Sequence, residues 1–173
     1  MSFTRIGSNE IWNGRIASVR EDRFRYDDGE EAEREIVSLQ GAVGIVAHDG
    51  EHVYPVEQPR EAVGEAALLE LPAGKLDVEG ESPLETGKRE LAEEIGKGAR
   101  EWRHLTTFYS SPGFADEEVH VYLATDLYDA RAEADENERI EIRKVPLAEL
   151  DDTIRACRDS KTLIGLLALA RRR

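Results

Sequence analysis

The sequence predicts a mixed α/β fold, and three observations carry that expectation. Short apolar runs bounded by turn residues recur along the chain, one strongly signalled helix lies near its middle, and two amphipathic helical segments close it. The length of 173 residues suits one globular domain with a real core, and the 40% hydrophobic content argues against disorder.

The opening, residues 10–40, reads as strand-rich, with Trp12, Ile16, Val19, Phe24 and Tyr26 before a turn at Asp27-Asp28-Gly29. Ile36–Leu39 is a further short strand. Val43–Ala47 is a compact apolar strand, and the turn His48-Asp49-Gly50 makes Val53–Gln58 its expected hairpin partner. Leu68–Leu71 is another strand, closed by Pro72-Ala73-Gly74. The clearest helix starts at Ser82, which can cap it; Pro83 occupies the first helical position and Glu85 completes a capping box. Leu84, Leu91 and Ile95 give it an apolar stripe, and Gly96 stops it. Strands are expected near His104–Phe108, Val119–Ala124 and Ile140–Val145. Leu147, Leu150 and Ile154 line one final helix, and Leu163, Leu166, Leu167 and Ala170 the other.

Charge narrows the function classes. The net charge is −14 and the pI about 4.8. Such a surface repels nucleic acid, and a phosphate-bearing substrate would need a cation to bridge it to the protein. Lysine is confined to Lys75, Lys88, Lys97, Lys144 and Lys161. Acid-rich, lysine-poor composition fits salt adaptation, a high-GC genome or simply a well-solvated surface. Cys157 is the only cysteine, so no internal disulfide is possible. The first twelve residues hold no apolar run of signal-peptide length, and no stretch reaches the ~20 apolar residues of a membrane span. A cytoplasmic location is the expectation.

The chemistry concentrates in Gly74–Gly96. Glu90 and Glu94 are four residues apart and share a helix face, with Glu93 beside them. Adjacent carboxylates repel; binding Mg²⁺ or Mn²⁺ removes that cost, because hard cations take oxygen ligands. Arg89 can pair with Glu93 and orient the cluster, while Leu91 and Ile95 anchor the other face. A solvated acidic helix face with one salt bridge is the bland alternative. The surrounding residues favour the metal: the stretch resembles the Nudix box, whose pattern is Gly, five residues, Glu, seven residues, then Arg-Glu-apolar-x-Glu-Glu-x-Gly-apolar. Here seven residues separate Glu81 from Arg89, and Arg89–Gly96 matches throughout. Six residues rather than five separate Gly74 from Glu81, and Lys97 replaces the apolar residue after Gly96.

Further segments resemble the ADP-ribose pyrophosphatases of this family. Phe108–Glu117 contains Ser111-Pro112-Gly113, with Pro112 sixteen residues past Gly96; its plain alternative is an ordinary turn. Glu57–Arg60, Leu69–Gly74 and Ala134–Glu138 also resemble the subfamily.

The resemblance implies a Nudix α/β/α sandwich with a mixed β-sheet, preceded by a small N-terminal antiparallel sheet. Residues 1–40 would form the N-terminal β region for dimerisation and adenine binding, and 41–173 the hydrolase domain. It implies metal ligands at Glu90 and Glu94, with Glu93 and the carbonyl of Ala73 as accessories. It also implies Glu136 as the residue activating water and Glu138 as its reserve, with Arg89 and Glu93 counted in the catalytic set. The substrate side would hold Arg60, Glu70, Pro112 and Gly113, with Tyr26, Arg34 and Glu35 for adenine. A surface ion pair is the alternative for Arg60, a solvated acidic turn for Glu136, and ordinary edge-strand roles for the adenine set.

The implied reaction is metal-dependent hydrolysis of ADP-ribose to AMP and ribose 5-phosphate by a homodimer. The rivals are a Nudix enzyme for another nucleoside diphosphate sugar such as GDP-mannose, and a non-catalytic sensor of ADP-ribose or NAD metabolites. The intact box speaks against the sensor. His48, His52, His104 and His120 have no metal-ligand spacing, and Cys157 reads as core rather than nucleophile.

Overall fold

Residues 1–130 and 139–172 are described by the structure, a computed structural model. They separate into two units: Met1–Gly41 with Phe108–Glu118, and Ala42–Thr107 with the chain from Val119 onward.

In the first unit, β1 (Phe3–Asn13), β2 (Ala17–Tyr26) and β3 (Glu31–Leu39) form an antiparallel meander in that order. Gly29, at φ 89°, makes the turn between β2 and β3 that Asp27-Asp28-Gly29 announces. β1 starts well before residue 10, and β3 starts before Ile36. The β1 extension has only Phe3 and Ile6 as large apolar residues, and the β3 extension has only Ala32 as an apolar one, so neither shows the apolar alternation that reveals a half-buried strand. The loop 108–118 joins the sheet by backbone bonds, Val37 N–H to Phe114 O at 2.8 Å and Asp116 N–H to Val37 O at 3.2 Å.

The second unit contains β4 (Ala42–Ala47), β5 (His52–Val53), β6 (Val56–Arg60), β7 (Glu65–Glu70) and β8 (Ala73–Lys75). Helix α1 (Pro83–Ile95) follows, then β9 (Lys97–Tyr109), β10 (Glu118–Asp129), β11 (Glu141–Ile142), β12 (Val145–Pro146), α2 (Leu150–Ala156) and α3 (Ser160–Ala170). The main sheet runs β8-β4-β10-β9. It is mixed: β10 is parallel to β4, and β8 is antiparallel to it. Helices cover both faces of β4. An added Cβ on Gly87 of α1 would meet Val43 and Ile45, whereas one on Gly165 of α3 would meet Val46. Odd and even residues of a strand point to opposite faces. This is the expected α/β/α sandwich around a mixed sheet, with the small antiparallel sheet before it.

Several sequence expectations are corrected. Residues 53–58 begin a hairpin with the end of β4, through the antiparallel bridge His48–Val53 and Tyr54 N–H to Ala47 O at 3.0 Å, but do not continue along that strand. Both edges of β4 are occupied, by β8 and β10, so β5 pairs with β12 and β6 pairs with β7 and β11. Ala73 and Gly74 belong to a strand, not to a closing turn. The region 140–145 yields only two short bridging strands, β11 and β12. A 3₁₀ turn (Leu147–Glu149) precedes α2, and Cys157 lies just past that helix, half-buried, with its thiol facing Asp159 O at 3.4 Å. The buried face of α3 is Thr162, Gly165, Leu166 and Leu169, while Leu167 is exposed. Glycine decides the face: a Cβ at Gly165 would come within 2.7 Å of Leu71 and 2.8 Å of Val46, so the helix is seated there.

Candidate active site

Local chemistry fixes α1. The Ser82 hydroxyl accepts from Glu85 N–H at 3.3 Å, and the Glu85 carboxylate accepts from Ser82 N–H at 2.9 Å. Pro83 opens the helix, and Gly96, at φ 65°, ends it in the left-handed region that suits glycine. Leu91 and Ile95 are buried, joined by Thr86 and Gly87; Leu84 is only half-buried. Leu91 and Ile95 pack with Ile45, Ala47, Val56 and Ala124. That anchored face leaves Glu90, Glu93 and Glu94 on the others.

Arg89 organises the acids. Its Nη1 lies 2.8 Å from Glu90 Oε1 and 2.9 Å from Glu93 Oε2, and its Nη2 lies 3.4 Å from Glu81 Oε2. Glu81 is itself fixed by the Thr86 hydroxyl at 2.9 Å. Burial alone would lower the Arg89 pKa, but the Glu81 bond and the fields of Glu90 and Glu93 raise it well above its ordinary value. Its Nε is buried without a partner among the described residues. Glu94 Oε2 accepts from Ala73 N–H at 3.1 Å. Beside it, Gly74 is required by space, since a Cβ there would lie 2.1 Å from Glu90 Cδ. The strand β8 and the helix α1 thus present Ala73, Glu90, Glu93 and Glu94 together.

This donor set consists of oxygens only, which fits a hard divalent cation. Among the described residues, no three His, Cys, Asp or Glu side chains stand close enough to grip an ion as placed. Arg89 draws Glu90 and Glu93, and Ala73 N–H holds Glu94. These carboxylates would have to turn from those partners to bring their oxygens to one point.

Arg60 is not a loose surface group. Its Nε and Nη2 reach Glu70 Oε1 and Oε2 at 2.5 and 2.8 Å, a bidentate pair on a carboxylate only 1% exposed. Lys161 donates to the same carboxylate. Burial pushes the Glu70 pKa up, yet the Arg60 bond and the field of Lys161 hold it below the usual range.

In the first unit, Tyr26, Arg34, Pro112 and Gly113 line one cavity of about 300 Å³, together with Phe3 and Phe24. Arg34 Nη2 donates to the Tyr26 hydroxyl at 3.3 Å. Glu35 does not line it, because neighbouring residues of β3 face opposite ways and Arg34 and Ile36 take the cavity side. Glu136 and Glu138 lie outside the described residues.

Sequence reasoning did not find Glu81 as a partner of Arg89, nor the room Gly74 gives Glu90. The fixed spacing of both residues within the motif was the available signal.

Residues 38–164 match the family model of the NUDIX domain. The chain belongs to the Nudix family. One Nudix relative, the ADP-ribose pyrophosphatase of Bacillus subtilis (strain 168), is 39% identical over 147 residues, which are 83% of this chain and 78% of that one. The methanol dehydrogenase activator of Bacillus methanolicus is 37% identical over 166 residues, 93% of this chain and 89% of that one. A crystal structure of an ADP compounds hydrolase superposes with a TM-score of 0.86, covering 99% of this chain and 94% of that one at 23% identity, and shares the fold.

Proposed function

We propose that this Nudix protein hydrolyses the pyrophosphate bond of ADP-ribose to AMP and ribose 5-phosphate, using Mg²⁺ or Mn²⁺. The observation that carries the reading is the intact set of box carboxylates, Glu90, Glu93 and Glu94, gathered over Gly74 on a helix anchored in the core. The ADP-ribose pyrophosphatase of Bacillus subtilis supports the choice of substrate.

Glu90 and Glu94 are the main metal ligands, with Glu93 and the Ala73 carbonyl as accessories. The bound ion supplies charge neutralisation at the diphosphate and a water of lowered pKa. Arg89 holds Glu90 and Glu93 apart from each other's charge and orients them. Arg60, fixed by Glu70, offers its guanidinium to a substrate phosphate. Tyr26 and Arg34 present an aromatic ring and a cationic plane suited to adenine, and Pro112 and Gly113 shape the same cavity. Glu136, with Glu138 in reserve, takes the role of the base that accepts the proton of the attacking water. Phosphoryl-type transfer needs mainly positioning and charge stabilisation, so no covalent enzyme intermediate is required.

A homodimer built through the N-terminal sheet completes the reading. The outer strand β1 carries Phe3, Ile11 and Trp12, all more than half exposed. No described helix is long and apolar enough to cross a membrane, and the single cysteine suits a reducing, cytoplasmic setting.

The test is Mg²⁺-dependent hydrolysis of a panel: ADP-ribose, NADH, diadenosine polyphosphates, GDP-mannose and 8-oxo-dGTP. AMP and ribose 5-phosphate released from ADP-ribose, at the highest kcat/KM of the panel, is the expected result. Preference for GDP-mannose keeps the chemistry and overturns the substrate. No hydrolysis of any member overturns the enzyme reading in favour of a sensor.

A further inference from the structure

We infer that Lys161 is a positioning residue for substrate phosphate: it shares the buried Glu70 carboxylate with Arg60 and thereby sets the place and the free charge of the Arg60 guanidinium. The inference rests on the reading of Arg60 as a phosphate-binding group.

The geometry is a closed cluster of four charges. Glu70, at the end of β7, accepts from Arg60 Nε at 2.5 Å and Nη2 at 2.8 Å. Lys161, on α3, donates to Glu70 Oε2 and, at 3.1 Å, to Asp159 Oδ1. Both the Glu70 and Lys161 side chains are largely withdrawn from water, at 1% and 15% exposure, while Arg60 keeps 43%. The lysine stem runs close to the sheet: an added Cβ at Gly44 of β4 would lie 3.8 Å from Lys161 Cδ.

Charge explains why two cations share one acid. With Arg60, Lys161, Glu70 and Asp159 all ionised, the cluster is neutral. Without Lys161, two carboxylates face one guanidinium, and the positive charge of Arg60 is spent inside the protein. With Lys161 present, Glu70 needs only part of that charge. The two bonds to Glu70 use Nε and Nη2 and leave Nη1 for an outside anion. The Glu70 bond holds the Arg60 pKa above its ordinary value against the effect of burial, and the fields of Glu70, Asp159 and Glu94 add to it. Charge-assisted bonds inside such a partly dry site are the strong ones, so the cluster is stiff.

A purely structural role for Lys161, docking α3, makes different predictions. The docking bond of that helix is a neighbouring one: Leu71 N–H donates to Thr162 Oγ1 at 2.7 Å, and the Thr162 hydroxyl donates to Asp159 at 2.6 Å. Thr162→Val removes both bonds but leaves the contacts among Arg60, Glu70 and Lys161 in place, and Asp159 still accepts from Thr162 N–H at 2.9 Å.

The experiment measures KM, kcat and thermal midpoint for Lys161→Met, Lys161→Gln, Lys161→Arg, Arg60→Lys, Thr162→Val and the Lys161→Met/Arg60→Lys double variant. The substrate is whichever panel member the wild type cleaves best, so a wrong substrate assignment shows in the wild type and not in the variants. Lys161→Met is expected to raise KM roughly tenfold with kcat within about twofold, the loss of about one charge-assisted bond. Lys161→Arg restores most of it. In the Arg60→Lys background the same change adds less than about twofold, because both act through one guanidinium. Thr162→Val lowers the midpoint and leaves KM in place. Where Lys161→Met does not fold, the uncharged but polar Lys161→Gln is read instead. If the wild type cleaves nothing, the same ratios are read in Kd for ADP-ribose by calorimetry. An unchanged KM or Kd on loss of Lys161, a full additive effect on Arg60→Lys, or an equal rise with Thr162→Val overturns the inference.

Discussion

The two units of this protein use carboxylates in opposite ways. In the Nudix unit, cohesion comes from aliphatic side chains removed from water: Val43, Ile45, Val46, Leu91 and Leu166 are all at 0% exposure. Its box acids, Glu90, Glu93 and Glu94, stand together on a helix whose buried residues are Thr86, Gly87, Leu91 and Ile95. In the unit built on β1–β3, only Asp22, Gly41 and Ala115 are buried among the described residues. There an acid is the centre of cohesion. Asp22 accepts from Ser8 at 2.6 Å, Arg20 at 3.0 Å and Arg5 at 3.3 Å. Asp116 ties the loop to β3 through Ser38 at 2.7 Å and Leu39 N–H at 3.1 Å. A carboxylate is a tool for chemistry where apolar burial already secures the fold, and a fastener where it does not.

The contrast breaks first if Glu94→Gln behaves as a structural change. The expected outcome is a fall in kcat on the order of a hundred- to a thousandfold, with circular dichroism and thermal midpoint close to wild type. A large loss of midpoint in that variant would place cohesion on α1's acids after all.

Next in size is the apolar side of the same helix. Leu91→Ala should cost about 2–5 kcal/mol, read as a midpoint lower by roughly 5–15 °C. The exposed Trp12→Ala should stay within roughly 0.5 kcal/mol of wild type in a monomeric preparation.

Acid sharpens the comparison further. Burial would raise the Asp22 pKa, but bonds from Ser8, Arg20 and Arg5 hold it below the ordinary carboxylate value; Ser38, Leu39 N–H and Arg20 do the same for Asp116. A folded pKa below the unfolded one stabilises above about pH 4 and ceases to do so as pH falls through the depressed value. Amide protection factors, referred to the intrinsic rate at each pH, should therefore fall in β1–β3 as pH drops below about 4 while those of β4 and β10 stay high. Asp22→Asn should show the lowered protection factors already at neutral pH and little further change in them on acidification. The smallest effect is expected from Ser82→Ala, about 1 kcal/mol from the lost cap, a midpoint shift of roughly 2–4 °C.

What was legible in the sequence follows the range of the interactions. Helix α1 was readable because its signals are local: Ser82, Pro83, Glu85 and Gly96 each act within a turn of the residues they affect. The box carries its own spacing, so Glu90, Glu93, Glu94 and Arg89 could be named before any fold was known. Strand partners were less readable. Val53–Gln58 follows β4 directly, yet β4 pairs with β10 far along the chain, and no local pattern encodes that choice. Glu70 and Lys161 are 91 residues apart, which is why the bland reading of Arg60 as a surface pair stayed open. Glu35 illustrates a different limit. The period of a strand says that Arg34 and Glu35 diverge, but not which of them faces a cavity.

Asp22 has a consequence beyond stability. In a three-stranded sheet with so little apolar burial, sliding β1 by two residues along β2 would keep the pleat, although the irregularities between Arg5 and Gly7 and between Glu10 and Trp12 would have to move with it. Such a slip would carry Ser8, which stands directly opposite Asp22, away from the buried charge. The misaligned sheet would then hold a carboxylate short of its donors in a dry position, a costly arrangement. A buried acid thus acts, beside the two bulges, as a proofreader of strand alignment.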